Sequence, residues 1–172
     1  SAFGKPLDQV FAHFSQPIAA ASIAQVHRAT TLQGETVAVK ILRPNVRYRF
    51  RRDLGAMAYA AALLESLSAE ARRLKFVDVV ETLSRSVTME MDLRLEAAAL
   101  SEMAENTRDD PDFRVPTVNW DLTAREILTM EWIDGTPLHD IDTIVARGHR
   151  SEEHTSELQS HSDLVCRLLL EK

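Results

Sequence analysis

Lys40 stands in Val37-Ala38-Val39-Lys40, where the period of two in an extended chain puts Val37, Val39 and Ile41 on one face and Ala38, Lys40 and Leu42 on the other. An ammonium on a small-residue face, beside a linker made of Ala19, Ala20, Ala21 and Ser22, can meet a phosphate. Three carboxylates follow further along, at Glu90, Asp92 and Glu96. Read on one continuous helix, Asp92 and Glu96 share a face, whereas Glu90 lies about 200° round from Asp92. Side-chain direction alone therefore does not bring all three to one site. His13, His27, His139 and His149 show neither the i, i+4 nor the H-x-E spacing of a metal site, and no metal ligand is assigned.

The elements that must position these groups are legible as strand, small-residue linker, strand, turn, strand between residues 17 and 44. Ile23, Gln25, His27 and Ala29 alternate with Ala24, Val26 and Arg28. Leu32-Gln33-Gly34-Glu35 supplies a turn with glycine available for a positive φ, and the β-branched run 36–42 ends before Pro44. Leu7, Val10, Phe11 and Phe14 predict a short amphipathic helix over 6–14. Leu54, Met57, Ala58, Ala61, Leu64 and Leu67 predict a second helix with an apolar stripe. Residues 76–105 read as one long helix with two apolar faces, Phe76, Val80, Leu83, Val87, Met91, Leu95 and Ala98 on one and Leu93, Ala97, Leu100 and Ala104 on the other. Such a helix is expected to be buried between two layers. A turn at 109–112, an extended segment at 113–118 interrupted by Pro116, a strand at 126–133 with a break at Asp134-Gly135, and a helix over 136–148 complete the order.

The hairpin resembles the N-lobe of a protein kinase, in which a glycine-rich loop covers the ATP phosphates and a lysine in a V-A-I-K strand pairs with them. Alanines stand here where kinases have glycines, which predicts a stiffer loop that holds phosphate differently. Ala-Ala-Ala-Ser-Ile-Ala-Gln-Val-His followed by Val-Ala-Val-Lys is similar to the UbiB or aarF type of atypical kinase, a family linked to ubiquinone biosynthesis. The resemblance extends to Glu90-Met91-Asp92-Leu93-Arg94-Leu95-Glu96-Ala97, which is similar to that family's E-x-D-x-x-x-E-A segment. It implies that Glu96 pairs with Lys40, and that Glu90 and Asp92 engage a K-x-G-Q segment upstream, a segment absent from these 172 residues. It also makes residues 126–133 the fifth N-lobe strand and hinge, with Met130 as gatekeeper and the backbone of Glu131 and Ile133 on the adenine edge. Taken without the resemblance, 126–133 is a sheet strand with Met130 and Ile133 in the core.

Arg150 to Lys172 resembles an in-frame translation of a sequencing-library adapter, interrupted near Ser162 and Asp163 by a variable index. It is set aside from the fold, leaving 1–149 as an atypical-kinase N-lobe with its hinge and the start of a C-lobe. Without the tail the net charge moves from −6 to about −4, which gives no pull toward nucleic acid. The one cysteine, Cys166, lies in the tail, so disulfide and cysteine-metal chemistry are not expected in 1–149. No apolar run approaches the roughly 18 residues of a membrane span. Arg43, Arg47, Arg49, Arg51 and Arg52 form a basic run, read either as attraction to anionic lipid or as a solvated helix start.

The expected fold is α+β, a protein-kinase-like N-lobe of antiparallel sheet and long packed helices with a truncated C-lobe. The resemblance implies ATP and Mg²⁺ as cofactors, with metal ligands in the C-lobe. It also implies quinone-biosynthesis proteins or lipid as partners, and the cytoplasmic face of a bacterial inner membrane as location. Because no catalytic-loop or D-F-G segment follows Gly148, this stretch alone is expected to be inactive. A non-catalytic nucleotide-binding scaffold is the alternative.

Overall fold

The structure is a computed structural model, and it describes residues 4–111 and 113–135. A 3-10 turn (Leu7–Gln9) leads into β1 (Phe11–Ala20), β2 (Ala24–Thr31) and β3 (Thr36–Leu42). Four helices follow: α1 (Val46–Leu67), α2 (Ala69–Leu74), α3 (Phe76–Glu90) and α4 (Leu93–Asn106). A second 3-10 turn (Trp120–Leu122) precedes β4 (Ile127–Glu131). The four strands form one antiparallel sheet in the order β1-β2-β3-β4. Gly34 has φ of +90°, the left-handed conformation the β2–β3 turn needs and glycine adopts without strain. Pro17, which cannot donate to a ladder, is tolerated because β1 is an edge strand with irregular register on both sides of it.

The alternation along β3 is reproduced as two apolar clusters on opposite sheet faces. Val37 and Val39 pack with Val10, Phe11, Ala29 and Ile127, while Ala38 and Leu42 pack with Val26, Leu128, Met130 and the inner face of α4. Leu93, Ala97 and Leu100, at i, i+4 and i+7, are the residues α4 buries. Glu65 of α1 accepts a hydrogen bond from the Val77 N–H at 2.9 Å, capping the start of α3 from the neighbouring helix.

Three expectations are corrected. The helix expected over 6–14 is a 3-10 turn followed by strand. Phe11 and Phe14 pair with Thr31 and Ala29 of β2, a ladder that an isolated helix of nine residues cannot match in stability. The stripe on the helix ending at Leu67 is mostly solvent-facing: Ala61 is buried, but Met57, Leu64 and Leu67 are exposed. The long helix 76–105 is two helices, broken where Asp92 leaves helical geometry at φ −113° and ψ 92°. Among the described residues neither half lies between two layers. No residue of α3 is fully buried, and Leu95 and Ala98 of α4 are exposed. The helix expected over 136–148 and the tail 150–172 lie outside the described residues.

Candidate functional site

Cross-strand register sets Lys40 in a row. Ala19 pairs with Val26, Val26 with Lys40, and Lys40 with Leu128. Partners in antiparallel strands point to the same face, so Lys40 emerges among the residues that α4 covers. The end of β1 lies two strands away, about 10 Å at the usual strand spacing. Of the four residues expected in the alanine linker, Ala19 and Ala20 close β1, and Ala21 and Ser22 belong to the three-residue connection to β2. The Ala21 N–H donates to the Ala24 carbonyl at 2.9 Å, making that connection a tight turn.

Lys40 Nζ donates to both carboxylate oxygens of Glu96 at 3.0 Å, with the two side chains 16% and 22% exposed. The pair joins residues 56 apart in sequence. An ammonium has three donors, so one remains after the carboxylate is served.

Glu96 reaches this position because α4 begins where it does. Asp92 is the N-cap, its carboxylate accepting from the Arg94 N–H at 3.2 Å, and Glu96 lies one turn into the helix. The helix start is tied to the sheet as well: the Leu93 N–H donates to the Arg125 carbonyl at 3.0 Å, beside β4. The Arg94 guanidinium grips Asp92 at both oxygens (2.9 and 2.7 Å) and holds its carboxyl below the usual carboxylate range. Partial burial opposes that shift, while the Arg94 N–H and the charges of Arg94 and Arg125 add to it. Asp92 in turn raises the Arg94 guanidinium above its ordinary value. Glu90, at the exposed end of α3, makes no ion pair among the described residues. The helix break therefore separates Glu90 from Asp92 in role. One is turned to solvent, and the other is consumed in capping.

Met130 is 1% exposed and belongs to the cluster beneath α4. The Glu131 N–H is already committed to the Thr117 carbonyl at 2.8 Å, and its side chain pairs with Arg114. Ile133, two residues on, is half-buried. The Arg28 guanidinium lies 5.0 Å from the ring centre of Trp132, the residue between them. Among the described residues no three His, Cys, Asp or Glu side chains converge as a metal site, and no helix is long and apolar enough to cross a membrane. The His27 Nδ1–H donates to the Ser15 carbonyl at 3.0 Å, and its ring lies against Phe14.

One residue was missed as an individual. Arg43, read only as part of the basic run, donates from Nε to the Ala21 carbonyl at 3.1 Å, and its N–H donates to the Ile23 carbonyl at 2.8 Å. Its signal is its place immediately after β3, the strand paired with the one the turn leads into. Arg47 is also internal, donating to the Met91 carbonyl and lying 3.9 Å from Glu126, whereas Arg49, Arg51 and Arg52 are exposed.

The family model described as "ABC1 atypical kinase-like domain" matches residues 1–166. The chain belongs to the ABC1 atypical kinase-like family. It is 40% identical over 146 residues to a protein of Marinobacter nauticus named "Probable protein kinase UbiB", covering 84% of this chain and 27% of that relative. A Pseudomonas aeruginosa protein of the same name is 42% identical over 142 residues, covering 82% and 27%. The chain thus spans about a quarter of the length of these curated relatives. Among solved structures, Rv3197 of Mycobacterium tuberculosis, in complex with erythromycin, superposes with a TM-score of 0.70 at 37% identity, over 81% of this chain and 35% of that one. The α+β architecture of the ABC1 family member described here is therefore shared with a solved kinase-fold relative.

Proposed function

We propose that this chain is the nucleotide-binding lobe of an ATP-dependent phosphotransferase or ATPase of the UbiB type, acting in isoprenoid-quinone biosynthesis. The observation that carries this reading is the Lys40–Glu96 pair, an ammonium fixed at 3.0 Å from both carboxylate oxygens on the sheet face two strands from the alanine turn. A carboxylate that takes two donors leaves the third for a phosphate oxygen and prevents the lysine from swinging out to solvent. In this reading Ala19, Ala20, Ala21 and Ser22 border the phosphates, Met130 is the gatekeeper, and the Glu131 carbonyl and Ile133 backbone meet the adenine edge. Glu90 and Asp92 then form the regulatory E-x-D pair, with Glu90 the member still open to a partner. Among the described residues no three His, Cys, Asp or Glu side chains converge as a metal site, and in this reading the family resemblance puts the Mg²⁺ ligands in the C-lobe. Quinone-biosynthesis proteins or lipid headgroups at the cytoplasmic face of a membrane are the partners that Arg49, Arg51 and Arg52 suit.

The test is thermal unfolding with and without MgADP. Ligand at about a hundred times its Kd stabilises the folded state by about 2.7 kcal/mol, which raises Tm by roughly 5–10 °C for a domain of this size. Lys40→Met is expected to abolish that rise, and a rise that persists in the variant defeats the reading. Binding without ATP turnover in the whole protein selects the non-catalytic scaffold instead.

A further inference from the structure

We propose that Arg43 is a positioning residue for the phosphate-facing turn, acting by a hydrogen bond from Nε rather than by its charge; this rests on the nucleotide reading above. The connection between β1 and β2 contains few groups, and Arg43 holds two of them. Its Nε donates to the Ala21 carbonyl at 3.1 Å and its N–H to the Ile23 carbonyl at 2.8 Å. The Ala21 carbonyl belongs to the same rigid peptide plane as the Ser22 N–H, and in a trans peptide the two point in opposite directions. Fixing the carbonyl on Arg43 therefore fixes the Ser22 N–H on the side away from it. Among the described residues no hydrogen bond takes up that N–H, and Ser22 is exposed. A rotation of this one peptide replaces the outward donor by an outward carbonyl, which repels phosphate. Ala21 and Ser22, each carrying a Cβ where a glycine would not, narrow the backbone choices on either side of this peptide, and Arg43 selects between its orientations.

Charge and hydrogen bond are separable by counting stem atoms. In glutamine the amide nitrogen occupies the position of arginine Nε, so Arg43→Gln keeps the donor and discards the charge. In lysine a methylene occupies that position, so Arg43→Lys keeps the charge but moves the donor one atom beyond the Nε position. The measurement is the Kd for MgADP in the wild-type protein and in both variants, with adenosine as a competitor that lacks phosphate. Arg43→Lys is expected to weaken MgADP about tenfold while adenosine stays within about twofold, and Arg43→Gln to bind MgADP within about twofold of wild type. The proposal is overturned if Arg43→Gln loses as much as Arg43→Lys, if Arg43→Lys loses nothing, or if adenosine weakens in parallel. Lys40→Met in the same series separates the two levels. Loss with Lys40→Met but no loss with either Arg43 variant sinks the Arg43 role alone, while absence of MgADP binding by the wild type sinks both.

Discussion

The sheet with α4 and the layer formed by α1, α2 and α3 are built on different terms. Every strand residue from Ile127 to Met130 is buried, and α4 closes on the sheet through Leu93, Ala97 and Leu100. α3 buries no residue completely, and across α1 to α3 Leu63, Leu64, Leu67, Leu74, Val79 and Met89 are all at least 47% exposed. Apart from Glu90, at the end of α3, the candidate site belongs to the first region. A side chain aimed at phosphate has to be held by a packed surround, and Lys40 has one: Val26 and Leu128 flank it across the strands, and Glu96 comes from the helix that covers them.

The sharpest way to break this contrast is to truncate one leucine in each region. Leu128→Ala, at a position fully removed from solvent, is expected to destabilise by about 2–5 kcal/mol, whereas Leu83→Ala on α3, at 41% exposure, should cost under about 1 kcal/mol. Urea unfolding measures both, and equal losses would erase the distinction between the layers.

Next in size is the pair itself. Lys40→Met leaves the Glu96 carboxylate partly buried without its cation, at a cost of about 1–3 kcal/mol, less than a fully buried pair would show. Adding Glu96→Leu should return most of that stability without returning nucleotide binding, since two apolar groups replace both charges. Recovery of stability and binding together would mean that the pair is structural only.

Asp92 gives a smaller effect with a defined pH sign. Its folded-state pKa is lowered, first by the Arg94 hydrogen bonds, so its contribution is present above the ordinary carboxylate pKa of about 3.9 and is lost as pH falls through the lowered folded value. Asp92→Ala should cost about 1 kcal/mol near neutral pH through the lost helix cap and remove that acid-side slope. Unfolding curves at pH 7 and pH 3 test this, and an unchanged slope would show that Asp92 is not the group titrating. At the bottom of the scale, Glu81→Ala removes an exposed i, i+4 pair with Arg85 and is expected to change stability by no more than about 0.5 kcal/mol.

Strand alternation was legible because both sheet faces are buried, so each residue from Val37 to Leu42 has a definite side. The glycine turn at Gly34 was equally open to reading, since its φ admits few other residues. The helical layer was less legible, because spacing shows which side chains share a stripe but not whether anything covers it. Leu54, Met57 and Leu64 keep their spacing, yet Met57 and Leu64 are about half exposed. The break at Asp92 had a signal, an N-cap residue directly before Leu93, Ala97 and Leu100, but the continuous apolar pattern overrode it. Lys40 and Glu96 were named together only through the family resemblance; spacing alone cannot join residues 56 apart. Arg43 stayed hidden because its role depends on a backbone carbonyl, and carbonyls leave no trace in a sequence.

Calorimetric titration with MgADP decides the proposal that the Lys40–Glu96 pair makes a nucleotide-phosphate site. The wild-type protein is expected to give a saturable single-site isotherm, and the folded Lys40→Met/Glu96→Leu protein is expected to bind at least about tenfold more weakly. Equal affinity in the two proteins, or no binding by a folded wild type, would contradict the claim.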